Sequence, residues 1–210
     1  MKKTTQEDAT ILAQGKMVLT AEADALQDLA ANLTGDFAAA VRLLSECRGK
    51  VAVTGIGKSG HIGKKIAASL ASTGTPSFFL HAAESLHGDL GMLTSDDVVI
   101  AVSHSGETPE MLRMLPYLAD TGIPLISLTG KTGSSLGRAC RVNLVTGVRE
   151  EADPLGLAPT CSTTAALALG DALVVAVSVR KGFTREEFAF RHPGGTLGQL
   201  LFRISTEDRR

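Results

Sequence analysis

The stretch Val98-Val99-Ile100-Ala101-Val102-Ser103-His104-Ser105-Gly106-Glu107-Thr108 decides how this chain is read. Its first five residues form an apolar run of the kind found in strands buried on both faces, as parallel strands are. Residues 109–118 read as a helix. The hydroxyls and glycine between the two therefore occupy a strand-to-helix turn, where unpaired backbone N–H groups and the helix dipole attract an anion. Ser103, Ser105 and Thr108 add hydroxyl donors, and Gly106 lets the backbone approach a ligand closely. No Lys or Arg occurs in residues 103–108, so neutral donors would hold the anion, which suits a reversibly bound phosphate ester. Taken alone, the loop is explained equally well as a Ser/Thr-rich turn with a helix cap at Ser105.

Outward from this unit the same alternation repeats. Apolar runs at 51–54, 77–80, 124–128 and 142–145 are followed by helical patterns at 59–73, 83–88, 134–138 and 162–180. Upstream, residues 6–33 carry apolar positions at helical spacing. A second helix follows the Thr34-Gly35 break and runs to about residue 47. The pattern predicts an α/β fold, a doubly wound five-stranded parallel sheet flanked by helices on both faces. In such folds ligands bind at the carboxyl ends of the strands, where the strand order switches. The expected division is packing helices at 1–48, a domain at 49–203 forming one globular unit with them, and a tail at 204–210.

Composition narrows the function classes. The chain has 210 residues, with 21 Lys+Arg against 22 Asp+Glu and a net charge of −1, so bulk charge gives no support for nucleic-acid binding. Trp is absent and aromatics are 4%, which disfavours a base-stacking platform or an aromatic membrane belt. Charged residues are only 20%, which suggests that another subunit covers part of the surface. Cys47, Cys140 and Cys161 show no metal or disulfide spacing and read as buried free thiols in a reducing compartment. Polar residues follow Met1-Lys2-Lys3, so no secretory signal is expected. The longest apolar stretch, 165–179, is interrupted and reads as too short to span a bilayer. The expectation is a cytoplasmic protein with no membrane contact.

Four further motifs fall at strand ends. Gly55-Ile56-Gly57-Lys58-Ser59-Gly60 is not a Walker A loop, because Ala52 stands where that motif needs glycine. It has the three glycines of a dinucleotide loop, but no acidic residue follows near position 80 to hold a ribose. It reads better as a second wall of the anion pocket, with Ser59 touching phosphate and Lys58 reaching a substrate oxygen. The alternative is a solvated lysine, although a cation at a helix start opposes the dipole. His81 and His87 follow the second run six residues apart, a spacing that does not favour a structural metal site. Glu150-Glu151-Ala152-Asp153-Pro154 follows the fifth run, where a carboxylate can serve as general base or simply be solvated. In Arg191-His192-Pro193-Gly194-Gly195-Thr196, the turn residues can aim the His192 imidazole, or leave it a loop histidine without a role.

Together, "GIGKSGHIGKK", "ASTGTPSFFLHAAESLHGDLGM", "SHSGET", "PLGLAPTCSTTAALALGDALVVA" and "HPGGTLG" resemble the sugar isomerase (SIS) domain family from about residue 13 to residue 201. The resemblance implies a flavodoxin-like three-layer sandwich. The matching branch of the family interconverts ribulose 5-phosphate and arabinose 5-phosphate, which feeds synthesis of the bacterial eight-carbon sugar Kdo. It implies catalytic roles for Lys58, Glu110, Glu151 and His192, and substrate contacts at Ser59, Gly74, Thr75, His81, His87, Ser103, His104, Ser105, Gly106 and Thr108. Aldose–ketose chemistry needs no redox cofactor and no motif has the spacing of a catalytic metal site, so none is expected, although zinc binding at His81 or His87 would block substrate; the resemblance implies a homotetramer with His192 entering a neighbour's site. Many relatives carry a pair of CBS modules after this domain, and this chain stops at Arg210, as a short form or a truncated piece. His104 stands where relatives commonly have Asn. Two other readings stay open: an isomerase of another phosphosugar, such as a hexulose phosphate, and a non-catalytic phosphosugar sensor. Sensors of this kind usually carry an N-terminal helix-turn-helix, and the first fifty residues show no basic recognition helix.

Overall fold

The computed structural model describes residues 5–194. Five strands, β1 (Val51–Gly55), β2 (Ser77–His81), β3 (Val98–Val102), β4 (Leu125–Thr129) and β5 (Val142–Val145), form one sheet. All pairs are parallel, in the order β2-β1-β3-β4-β5. This is the predicted doubly wound sheet, and the order reverses between β1 and β3. Every residue of β1, β3 and β4 is buried, which explains their unbroken apolar reading.

Alternation across the sheet divides the core. Val51, Val53, Ile100, Ile126 and Leu128 face one way, with Ile66, Leu70, Leu169 and Leu173. These four come from α3 (Gly57–Ser72) and α7 (Cys161–Arg180). Ala52, Val99, Ala101 and Leu125 face the other way, against α5 (Pro109–Thr121), whose Met111, Met114 and Leu118 are buried. Gly170 of α7 lets the helices close up, because a Cβ there would lie 2.4 Å from Ile66 Cδ1. α1 (Gln6–Ala31) and α2 (Gly35–Ser45) pack on α7. α1 buries only Leu29, however, while Ile11, Leu12, Met17 and Leu19 stay exposed.

Two expectations are corrected. The apolar stretch is not too short for a membrane. α7 has 20 residues and is long and apolar enough to cross one by length and composition. Its buried face, Ala165, Leu169, Leu173 and Val177, instead fills the sheet's core. The alternation of apolar runs and helical patterns ends at residue 180, whereas the structure adds α8 at Arg185–Arg191; the chain also has short helices α4 (Ala82–Ser85) and α6 (Ser135–Ala139). The signal for α8 was present. Thr184 and Glu187 cap each other's backbone N–H groups at 3.2 and 2.9 Å, a reciprocal capping box.

Candidate active site

At the carboxyl ends of the neighbouring strands β1 and β3, two helices begin on opposite faces of the sheet without side-chain caps. Ile56 precedes α3 and Thr108 precedes α5, and neither side chain caps its helix. Their first N–H groups are therefore open to an anion. The loop at 103–108 explains why Thr108 is diverted. Its hydroxyl lies 2.9 Å from Ser103 Oγ, which also accepts from the Gly106 N–H at 3.1 Å. Ser103 is 3% exposed and so shapes the loop from inside. Ser105 is exposed and accepts from the Glu107 N–H at 3.1 Å.

The loop is fixed to its neighbours. Gly106 has φ 65°, and a Cβ there would fall 2.2 Å from Ser134 Oγ. The Leu136 N–H donates to Gly106 O at 3.0 Å, and the Ser135 N–H to Glu107 Oε1 at 2.8 Å. The Ser135 bonds hold the Glu107 carboxyl below its ordinary range.

A third helix N-terminus, that of α7, is sealed by Glu151. Its Oε2 accepts from the Thr160 N–H at 2.8 Å, Thr160 Oγ1 at 3.1 Å and the Ser162 N–H at 3.1 Å. Partial burial pushes the Glu151 carboxyl up. The hydrogen bonds from Ser162 and Thr160 outweigh it, and the pKa falls below its ordinary value. Glu151 is thus an ionised carboxylate at the mouth of a cavity of about 830 Å³ that Lys58, Ser59, His104, Ser162 and Thr163 also line. Arg149 lines it too and was missed by the sequence reading. Its signal was position, two residues before Glu151 and just past the fifth strand.

The structure does not bring every expected residue here. Glu110 sits half-buried in the first turn of α5, outside the cavity wall. His81 and His87 share the carboxyl edge but lie on the β2 flank, where His81 Nδ1 accepts from the Ala83 N–H at 3.3 Å and caps α4. Gly74 and Thr75 lie at the opposite, amino edge, next to Pro76, whose carbonyl pairs with the Val51 N–H. Thr75 is buried, and its Oγ1 accepts from Lys181 Nζ at 3.1 Å. His192 belongs to that edge as well. Its neighbour Arg191 lines a groove with Lys50, Gly74 and Ser77, while its own ring stacks on Phe188 and Nδ1 lies 2.7 Å from Phe188 O. A five-residue strand spans about 16 Å, so one protomer does not unite Glu151 with His192. No cluster of metal-binding side chains occurs among the described residues.

This geometry, a lysine and an ionised carboxylate lining one cavity that only His104 of the 103–108 loop reaches, agrees with comparison to known proteins. The SIS domain family matches residues 43–176. The chain belongs to the SIS domain family. Arabinose 5-phosphate isomerase KdsD of Pseudomonas aeruginosa is 56% identical over 187 residues, 89% of this chain and 57% of that protein. KdsD of Escherichia coli K12 is 53% identical over 192 residues, 91% of this chain and 58% of that protein. This SIS chain therefore spans little more than half the length of the curated relatives it matches. The solved structure of E. coli CFT073 c3406 in complex with arabinose 5-phosphate superposes with a TM-score of 0.85 at 46% identity, covering 90% of this SIS chain and all of that one.

Proposed function

We propose that this SIS domain is an aldose–ketose isomerase interconverting D-ribulose 5-phosphate and D-arabinose 5-phosphate, the step that supplies Kdo synthesis. The carrying observation is the ionised Glu151 sharing one cavity with Lys58 and the open α3 N-terminus. The relatives named KdsD and the c3406 complex with arabinose 5-phosphate support this substrate over other phosphosugars.

The phosphate docks on the Ser105 and Thr108 hydroxyls and the free N–H groups of α5, with Ser59 on the α3 side. Glu151 takes the C2 proton of the open-chain aldose. The electron pair left behind forms the C1–C2 double bond, and charge collects on O1. Lys58 stabilises that enediolate. Glu151 returns its proton to C1, the O2 proton is transferred to O1, and the carbonyl forms at C2, which gives the ketose. His192 opens the ring or shuttles the oxygen proton, with the reverse division of roles between Glu151 and His192 still open, and Glu110 orients Lys58 or a histidine. No cofactor or metal enters this scheme, and zinc at His81 would inhibit. Because His192 and Glu151 lie at opposite edges, the scheme needs a second copy whose His192 reaches this cavity, and the family resemblance makes that assembly a homotetramer. The assigned compartment is the cytoplasm.

Purified protein incubated with ribulose 5-phosphate, without added metal, should form arabinose 5-phosphate. Phosphosugar binding without turnover would favour the sensor reading instead.

A further inference from the structure

Helix α7 begins with a threonine that does not cap it. Thr160 stands where a hydroxyl ordinarily accepts from the first free N–H groups of the helix, yet its side chain makes no such bond. Glu151 Oε2, from eleven residues before Ser162, takes the Ser162 N–H instead. The Thr160 hydroxyl is used elsewhere. It accepts from the Ala152 N–H at 2.9 Å and donates to Glu151 Oε2 at 3.1 Å. A hydroxyl has one proton, and with the Ala152 N–H on its lone pair that proton is aimed at the carboxylate. Asp153 closes the intervening loop by accepting from the Leu157 and Ala158 N–H groups at 3.0 and 3.2 Å, which brings residues 151 and 160 together.

These bonds divide the two oxygens of Glu151. The Thr160 N–H, the Thr160 hydroxyl and the Ser162 N–H all bond Oε2, and none of the three reaches Oε1. We propose that Oε1 is the proton-accepting oxygen of Glu151 and that Thr160 is a positioning residue, which locks Oε2 and so aims Oε1 at the substrate carbon. The proposal rests on reading Glu151 as the carbon base of an isomerase. Thr160 is not among the residues that line the cavity, so it acts only through Glu151. Burial pushes the Glu151 carboxyl up, and its donors, the Thr160 hydroxyl among them, bring it below the ordinary value. Removing a donor from an ionised carboxylate makes it more basic. The other charged and titratable groups around Glu151 are Lys58, His104, Arg149, Glu150 and Asp153 in the same cavity. Asp24, Asp28, Asp36 and Cys161 line a groove that Glu151 also borders. All are retained in the variants below, so comparison with wild type isolates Thr160.

Thr160→Val keeps the branched shape and removes the hydroxyl, Thr160→Ala removes it without adding bulk, and Thr160→Ser keeps it. Carbon-13 NMR of the full chain labelled at its glutamate carboxyls, with Glu151→Gln to identify the signal, follows the Glu151 proton. Thr160→Val and Thr160→Ala should bind that proton about three- to tenfold more tightly than wild type, and Thr160→Ser should match wild type. Turnover of ribulose 5-phosphate should follow the same pattern. In the first two variants kcat should fall about tenfold with KM within about twofold, and the acid limb of the kcat profile should move to higher pH; Thr160→Ser should restore both. A lower Tm with proton affinity and acid limb unmoved would mean that Thr160 serves stability alone, and would overturn the proposal. So would a Thr160→Ser variant as impaired as Thr160→Val. Wild-type protein without turnover refutes the isomerase reading, and the NMR comparison then decides by itself whether Thr160 holds the carboxylate.

Discussion

Glu151 is held by three donors at the start of α7, and that capture sets both its chemistry and its contribution to stability. A carboxylate at a helix N-terminus satisfies otherwise orphan N–H groups and meets the positive end of the dipole. Its folded pKa lies below the ordinary 4.5. The stabilisation it provides is therefore present above about pH 4.5 and is lost as the pH falls through the lower folded value. Glu151→Gln keeps an acceptor oxygen but has no charge to lose. The Tm difference between neutral pH and about pH 4 should shrink in the variant, and an undiminished difference would show that other groups carry the acid sensitivity. As carbon base, Glu151 should also matter far more to kcat than to KM. Glu151→Gln should lower kcat by about 10²–10⁴-fold and abolish exchange of the substrate's carbon-bound proton with deuterated solvent. Normal exchange in Glu151→Gln with none in His192→Ala would mean that the two residues have exchanged roles.

In the proposed scheme the element that recognises phosphate is the β3–loop–α5 unit, and its parts would act together because each hydrogen bond fixes another. Ser105→Ala removes one donor from an interaction made equally in ground and transition states, so KM should rise with kcat little changed. A collapsed kcat at constant KM would contradict the assignment. Gly106→Ala is harsher. It puts a side chain at φ 65° against Ser134, a backbone cost of about 1–3 kcal/mol, and thermal melts should register it as a drop of several degrees. This unit was legible in the sequence because its physics is local: a strand buried on both faces is an unbroken apolar run, and the turn after it announces itself in Gly and hydroxyls. The wall made by Lys58 and Ser59 was legible for the same reason. Arg149 was legible only from its position just past the fifth strand, since its residue type alone does not separate a cavity-lining arginine from a solvated one. Gly74 and Thr75 were placed by resemblance alone, and His192 by the resemblance together with the Pro-Gly-Gly turn that follows it. Gly74 and Thr75 sit in a helix-to-strand connection, α3 to β2, and in a parallel sheet such connections lie at the amino edge. Their distance from the phosphate loop could thus have been read from chain order, whereas the return of residue 192 to that edge depends on how α8 packs.

At the scale of the whole molecule, surface and site raise the same demand. Helix α1 leaves Leu12 and Leu19 56% and 68% exposed, and α7 leaves Val175 and Val179 60% and 74% exposed. These are apolar faces that a second copy would cover. The site is divided correspondingly, with Glu151 at the carboxyl edge and His192 at the amino edge of the same sheet. If each working site takes Glu151 from one protomer and His192 from another, two inactive variants can complement. Glu151→Gln and His192→Ala homo-oligomers should each be nearly inactive. When the two are unfolded together and refolded as a random equal mixture, each site draws its Glu151 and its His192 independently, and roughly a quarter of sites receive both intact residues. Activity should therefore return to roughly a quarter of the wild-type level, while mixing without subunit exchange should restore none. Sedimentation of the mixture should show an oligomer, and Leu19→Asp should weaken that assembly and the recovered activity together. A fully active monomer, or a refolded mixture no more active than its parents, would place Glu151 and His192 in separate functions and remove the shared site.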